Sequence, residues 1–367
     1  LKPVYYLGMM SGTSLDGVDV VLADLRATTP LLLGTCYCPY NDDLREALLL
    51  LHQPGYDELH RAAMLSNQLS RLYAKATADL LEKTGVLAAQ IVAIGCHGQT
   101  IRHCPEPEKR YTIQLVNAAL LAELTGITVV ADLRSRDIAA GGQGAPLVPA
   151  FHEAVFKSSS RHRVIVNIGG IANITNLDPY HAITGFDCGP GNSLMDAWCL
   201  QHTGRNYDQN GQWAATGRVI PDLLDALLSA PFFAQIPPKS TGRDLFNLRW
   251  LEDKLQFSEE SPEDVQATLL QLTVMSIAQA IDMHCLGAEE VYVCGGGGHN
   301  SLLINRLAEI MSGKKVALTD QLGITIDWVE AFAFAWLAQQ AILRKPGNLT
   351  AVTGAKGSRI LGAIYPA

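Results

Sequence analysis

The chain contains no G-x-x-x-x-G-K-[ST] segment, so any phosphate it binds is not held by a P-loop. Its 8 cysteines form no C-x-x-C pair and its 10 histidines no H-E-x-x-H or other cluster, which argues against a structural zinc site. No stretch of about 18 uninterrupted apolar residues offers a membrane-spanning helix, and the opening residues lack signal-peptide architecture. Basic charge is short too. The 28 Lys and Arg stand against 36 Asp and Glu, a formal net charge of −8, so neither nucleic acid nor an anionic membrane is expected as the main partner. The scattered cysteines read as reduced core thiols of a cytoplasmic protein. Cys96 and Cys188 lie beside candidate site residues, which leaves a nucleophilic role open for them.

What the chain does have is glycine at the ends of apolar β-type runs. The 367 residues suggest two domains. Strands are expected at 4–8, 18–25 and 31–38, helices at 42–52 and 56–84, a buried strand at 91–95, and further short strands at 111–115 and 128–131 around a helix at 117–125. The pattern restarts at Arg163 with a strand that runs into Gly169-Gly170, a returning strand at 171–176 and a third at 182–186. Helices are expected at 193–202, 222–228, 245–254, 262–283, 301–311 and 326–343, with a strand at 290–294. The recurrence is an approximate structural duplication. The polar stretch 157–162 is the best boundary, giving domains 1–160 and 161–367, with the C-terminal tail free to pack back on the first.

Three glycine segments carry chemistry. Residues 8–19, GMMSGTSLDGVD, form a strand–turn–strand whose turn is too small and polar to be there for packing. The backbone and hydroxyls around Gly12, Thr13, Ser14 and Gly17 can converge on phosphate oxygens, and Asp16 and Asp19 can reach a hydrated Mg²⁺. Taken alone, the turn is equally compatible with an ordinary loop. Residues 185–192, GFDCGPGN, run into a helix, so Gly189, Gly191 and Asn192 can bring backbone N–H groups and a helix N-terminus to phosphate. Asp187 stands at the mouth of that site, and an ordinary turn is the alternative. Residues 291–300, VYVCGGGGHN, end a buried strand in four glycines, which cost backbone entropy a plain turn would not require. Gly295, Gly296 and Gly297 leave room for a flat ligand such as a nucleobase, and Asn300 can cap the next helix as well as touch ligand.

These segments, with CHGQT at 96–100, DLRSRDIAAGGQGAP at 132–146, NIGGIAN at 167–173 and EAFAFAWLA at 330–338, resemble the anhydro-N-acetylmuramic acid kinases of the actin/sugar kinase/Hsp70 ATPase superfamily. The resemblance covers essentially the whole chain, and the GMSGTS-type opening, here GMMSGTS, is highly specific. It implies an α/β fold of two ribonuclease-H-like domains around a central ATP cleft, with mixed five-stranded sheets flanked by helices. It also implies a bacterial cytoplasmic homodimer that uses ATP and Mg²⁺.

The implied reaction hydrolyses the 1,6-anhydro bond of 1,6-anhydro-N-acetylmuramic acid and phosphorylates the freed O6, in peptidoglycan recycling. Asp187 resembles the family's catalytic aspartate, the base on the attacking water. The sugar's lactyl carboxylate calls for a cation, for which Arg134 and Arg136 are candidates, surface ion pairing being the alternative. Asp137, His97 and Gln99 are candidates for the acetamido and ring oxygens. Glu330 matches a family position with no assigned role and could simply cap its helix. Asp16, acting through water, is the metal candidate.

Overall fold

The computed structural model describes residues 3–12, 14–27, 30–106, 108–242, 245–255 and 260–367. Its strands, among the described residues, are β1 (Tyr5–Met10), β2 (Gly17–Asp24), β3 (Leu31–Pro39), β4 (Ile91–Cys96), β5 (Gln99–Cys104), β6 (Tyr111–Leu115), β7 (Val129–Ala131), β8 (Arg163–Ile168), β9 (Ile171–Leu177), β10 (Thr184–Pro190), β11 (Glu290–Cys294), β12 (Lys315–Leu318) and β13 (Ala363–Tyr365). The chain divides into two compact units, Leu1–Val155 with Trp328–Ala367, and Phe156–Asp327.

In the first unit the sheet order is β13-β7-β4-β1-β2-β3. β1 and β2 form an antiparallel hairpin with Met10 opposite Asp19, and β3 continues it antiparallel. β4 and then β7 add in parallel on the other side of β1. The second unit repeats the scheme as β10-β9-β8-β11-β12: an antiparallel trio, then two parallel strands. Both sheets thus have the strand order 3-2-1-4-5 of the ribonuclease-H-like fold, and the α/β class expected from the motifs holds. The first sheet gains a sixth strand because β13 pairs antiparallel with β7.

The C-terminal tail thus packs on the first unit, and the segment that returns runs from Trp328 to Ala367. The helix Val329–Ile342 packs on β1 and β4 of the first unit, buried on nearly every side. Two glycines allow it so close. A Cβ on Gly8 would collide with the Ala331 carbonyl oxygen and lie 2.6 Å from the Ala335 nitrogen. One on Gly95 would collide with the Phe334 carbonyl and lie 3.0 Å from the Ala338 methyl. On the hairpin side, the helix Glu58–Thr84 buries Leu65, Leu69, Tyr73, Ala76 and Leu80, the spacing its apolar stripe dictates.

In the second unit the helix Pro262–His284 starts at Ser261, whose side chain accepts from the Asp264 N–H, with proline in the first turn. It packs against β9 and β10 and buries most of its length. No disulfide joins any of the cysteines. No helix among the described residues is long and apolar enough to cross a membrane.

Candidate functional site

In the first unit the β1–β2 turn is held from behind. Ser11 is buried, and its hydroxyl bonds the Tyr73 hydroxyl at 2.6 Å, which is 3.1 Å from that of Tyr40. Gln99 donates from Nε2 to the Gly12 carbonyl at 3.0 Å. The Asp16 carbonyl accepts from Tyr40 N and from the Tyr37 hydroxyl, both at 2.9 Å. What remains outward is small and polar: exposed Ser14 donates to exposed Asp16 Oδ1 at 2.8 Å, and the nearest atom to a Cβ on Gly12 would be Ser14 Oγ at 3.5 Å. Gly17, by contrast, is packed, since a Cβ there would meet the Cys38 oxygen at 2.5 Å. Asp19 follows in β2; after burial itself, the charges of Asp16 and Asp19 raise the Tyr37 pKa, so both carboxylates lie around that ring. Thr13 lies outside the described residues.

The same unit gathers His97, Arg134 and Glu330. Arg134 donates to His97 Nε2 from Nε at 3.0 Å and Nη2 at 2.9 Å, and to the Gly144 carbonyl from Nη1 at 2.8 Å. With Nε2 accepting, the ring proton sits on Nδ1. Burial first, then the Arg134 charge, holds the His97 pKa well below the usual imidazole range, so the ring is neutral. Burial lowers the Arg134 pKa to about 10, against the charges of Glu330 and Asp137, which leaves it cationic at neutral pH. Half-buried Glu330 has its pKa raised by burial and pulled back by Arg134. Buried Gln99 leaves Oε1 without a partner among the described residues.

Asp137 does something else. It is fully buried, its Oδ1 accepts from Asn348 Nδ2 at 2.6 Å and Thr353 Oγ1 at 2.7 Å, and its Oδ2 accepts from Gly144 N at 2.8 Å. The carboxylate ties the 137–144 loop to the 348–353 segment and faces protein, not ligand. Arg136 is exposed and takes no part in the Arg134 cluster.

In the second unit three glycine turns meet. The N–H groups of Gly191, Asn192 and Ser193 donate to the carbonyls of Gly170, Gly169 and Gly170 at 2.9, 2.8 and 3.1 Å. The N–H groups expected to face phosphate are therefore spent on the β8–β9 turn. A Cβ on Gly189 would lie 2.7 Å from the Phe233 ring, so that glycine serves packing. The unspent donors are on the other turn: no described residue accepts from the N–H of Gly169 or Gly170. This turn is the counterpart of β1–β2 in the repeated topology. Thr273 Oγ1 donates to the carbonyls of Pro190 and Gly191 at 3.1 and 3.0 Å and fixes the loop before the helix Ser193–Thr203.

The glycines after β11 also divide. Gly295 has φ +80°, a conformation that favours glycine, and donates to the Ile326 carbonyl at 3.0 Å. The space beside Gly297 belongs to the Ile168 side chain, with the nearest atoms in direct collision with any Cβ. Gly296 is exposed, and the nearest atom to a Cβ there would be Asn192 Nδ2 at 3.7 Å. A flat ligand can lie on Gly296, not on Gly297. Asn300 is a helix cap: its Oδ1 accepts from Leu303 N at 3.1 Å.

Asp187 sits in β10 at a bulge, where the pairing with β9 shifts between Asp187 and Gly189 and re-aims the strand. Its backbone N–H donates to the Lys239 carbonyl at 3.1 Å, and its Oδ2 accepts from Thr241 N at 2.9 Å. Oδ1 makes no hydrogen bond to the described residues. Burial pushes its pKa up to about 6, against the Thr241 hydrogen bond and the Lys239 charge. A carboxylate with one oxygen anchored, the other unengaged and a pKa near neutrality can accept a proton from water. The two thiols singled out in the sequence are held protonated, each in its own unit: burial drives the Cys96 pKa to about 12 and that of Cys188 higher still.

The family model for anhydro-N-acetylmuramic acid kinase matches residues 4–367. The chain belongs to that family. A relative named anhydro-N-acetylmuramic acid kinase in Nitrosospira multiformis is 62% identical over 367 residues, covering 100% of both chains. Another of that name in Nitrosomonas europaea is 62% identical over 364 residues, covering 99% of this chain and 100% of its own. Among solved structures, component A of the Acidaminococcus fermentans (R)-2-hydroxyglutaryl-CoA dehydratase aligns with a TM-score of 0.48 and 11% identity, over 90% of this chain and 96% of its own.

Membership of this kinase family implies the use of ATP. Among the described residues no group of three or more His, Cys, Asp and Glu side chains could hold a metal ion. Lys239, Thr241 and Thr273 escaped the motif analysis. The first two lie in a polar run, PPKSTG at 237–242, that has no recognisable geometry until it folds beside Asp187.

Proposed function

We propose that the chain opens the 1,6-anhydro ring of 1,6-anhydro-N-acetylmuramic acid by hydrolysis and phosphorylates O6 with ATP, giving N-acetylmuramic acid 6-phosphate for peptidoglycan recycling. The observation that carries this reading is Asp187, a carboxylate with a pKa of about 6, one oxygen on Thr241 N and the other unengaged. In this reading Oδ1 takes the proton from a water molecule attacking the anomeric carbon. Oδ2 stays on the Thr241 N–H, so the carboxylate keeps its aim while its charge changes.

Mg²⁺, when bound, supplies charge neutralisation on the phosphates and leaves the protein mainly a positioning task. In the first unit Gly12, Ser14 and Asp16 are the exposed face offered to phosphate, and Asp16 is the group for a metal-bound water. In the second unit the unspent N–H groups of Gly169 and Gly170 offer a second phosphate contact and Gly296 a platform for the adenosine. Arg134 remains cationic and is the group for the lactyl carboxylate; Gln99 Oε1 and Glu330 are acceptors for the sugar's N–H and hydroxyls. His97 presents no free Nε2, so it acts through Arg134 and is not the base.

The reaction is tested in ¹⁸O water. Solvent oxygen is expected at C1 of the product with phosphate on O6; label in the phosphate, or a product with the anhydro ring intact, contradicts the reading. Asp187→Asn is expected to lower kcat by roughly 10²–10⁴ with nucleotide affinity kept, the usual size of a general-base contribution.

A further inference from the structure

A lysine buried near the base is not required by anything above. Lys239 is 7% exposed, an unusual depth for an unpaired ammonium. Its Nζ donates to the carbonyls of Phe232 and Phe233, each at 3.2 Å, and lies 4.7 Å from the Phe232 ring centroid. It forms no ion pair with a described carboxylate. The backbone on either side of it does the holding at Asp187: Lys239 offers its carbonyl to the Asp187 N–H, and Thr241 offers its N–H to Oδ2.

We propose that Lys239 is a positioning residue for Asp187: its ammonium, clamped on the Phe232 and Phe233 carbonyls, fixes residues 239–241 as the cradle of the Asp187 carboxylate and holds a buried positive charge whose field reaches it. This rests on the reading of Asp187 as the base.

Opposing effects act on that base. Burial raises its pKa; the Thr241 hydrogen bond and then the Lys239 charge lower it. Without the charge, the carboxylate would stay protonated further into the neutral range, so a smaller fraction of it would be ionised to accept a proton from water at physiological pH. Other titratable groups face this region. Cys188, on the same strand, is a thiol throughout because burial raises its pKa far above neutral. His284, whose ring is edge-on to Phe186 at 5.3 Å, has its pKa lowered by burial and then by the Lys239 charge. Burial lowers the pKa of Lys239 itself, against the charges of Cys188 and Asp187.

The test is the pH dependence of kcat in Lys239→Gln, which keeps a donor for the two carbonyls but removes the charge, and in Lys239→Arg, which keeps both. In the wild type, activity is expected to fall on the acid side through the Asp187 pKa. In Lys239→Gln that limb should move up by about 1 pH unit, the low end of what a neighbouring charge does, and Lys239→Arg should bring it back. An unmoved limb in folded Lys239→Gln overturns the proposal. If Lys239→Gln does not fold, Lys239→Met, which keeps the stem, takes its place. If both fail to fold while Lys239→Arg folds, Lys239 is a packing element and the proposal is overturned. Asp187→Asn is assayed alongside. Full activity there removes the reading beneath the proposal, whereas an inactive Asp187→Asn with an unmoved limb in Lys239→Gln sinks only the role of Lys239.

Discussion

Arg134 places two hydrogen bonds on a single atom, Nε2 of His97, at 3.0 and 2.9 Å. A guanidinium shared this way allows the imidazole only its neutral Nδ1–H form. Nitrogen NMR is expected to show one neutral Nδ1–H tautomer for His97 through the ordinary imidazole range, because burial and the Arg134 charge both lower its pKa. In Arg134→Met the charge is gone and the pKa should move up toward the ordinary value. A wild-type ring that titrates between pH 6 and 7 contradicts the assignment.

Asp187 should cost the native state stability. Its folded pKa, about 6, lies above the ordinary value of 3.8. Between these pH values the native state binds more protons than the unfolded chain, so this group's contribution is neutral below about pH 4 and becomes destabilising as pH rises through 6. Asp187→Asn should therefore raise stability at pH 7.5 by on the order of 1–3 kcal/mol while losing activity, and the gain should vanish near pH 4. Urea unfolding at both pH values checks it; a gain that does not depend on pH would have another origin.

The two central glycines after β11 should separate binding from folding. Gly296→Val puts a side chain into open space and should leave the melting temperature in place. It should raise KM for ATP about tenfold or more, the ratio that roughly 1.4 kcal/mol of lost binding produces. Gly297→Val collides with Ile168 and should lower the melting temperature whether or not nucleotide is present. Calorimetry with ATP titration distinguishes them; the reverse pattern would place the ligand on Gly297.

The closeness of Gly95 to the helix Val329–Ile342 should be visible in stability alone. A methyl at Gly95 meets backbone, the Phe334 carbonyl, which has no rotamer to move to. Gly95→Ala is expected to destabilise the protein by about 3 kcal/mol, at the high end for overpacking. A change within 0.5 kcal/mol in urea unfolding, the range of a surface substitution, would mean the helix yields readily.

Most of the scaffold was legible because its periods are clean. The helices Glu58–Thr84 and Pro262–His284 and the strand β11 fall within a residue or two of their apolar patterns. β13 was not, since three residues carry no period and their pairing with β7 is non-local. The glycines were the harder lesson. Gly12, Gly296 and Gly297 look alike in a sequence, but two face open space and one faces Ile168. The same holds for donors. Gly191 and Asn192 precede a helix as a phosphate loop would, and only the fold reveals that Gly169 and Gly170 have already claimed their N–H groups. Asp137, flanked by arginines in a polar run, read as a sugar contact; its three hydrogen bonds come from Gly144, Asn348 and Thr353, two of them about 210 residues distant, at separations of 211 and 216.

The return of Trp328–Ala367 to the first unit has a consequence for how the protein is made. The second unit, Phe156–Asp327, is one uninterrupted segment whose five strands all lie within it. The first unit lacks its central helix and β13 until residues 329–365 leave the ribosome. Synthesis therefore reverses the order of the chain: the later-encoded unit can acquire its native core first, while the N-terminal strands wait with Gly8 and Gly95 uncovered. A chain truncated after Asp327 and released from the ribosome should show a protease-resistant 156–327 fragment and a digestible N-terminal portion.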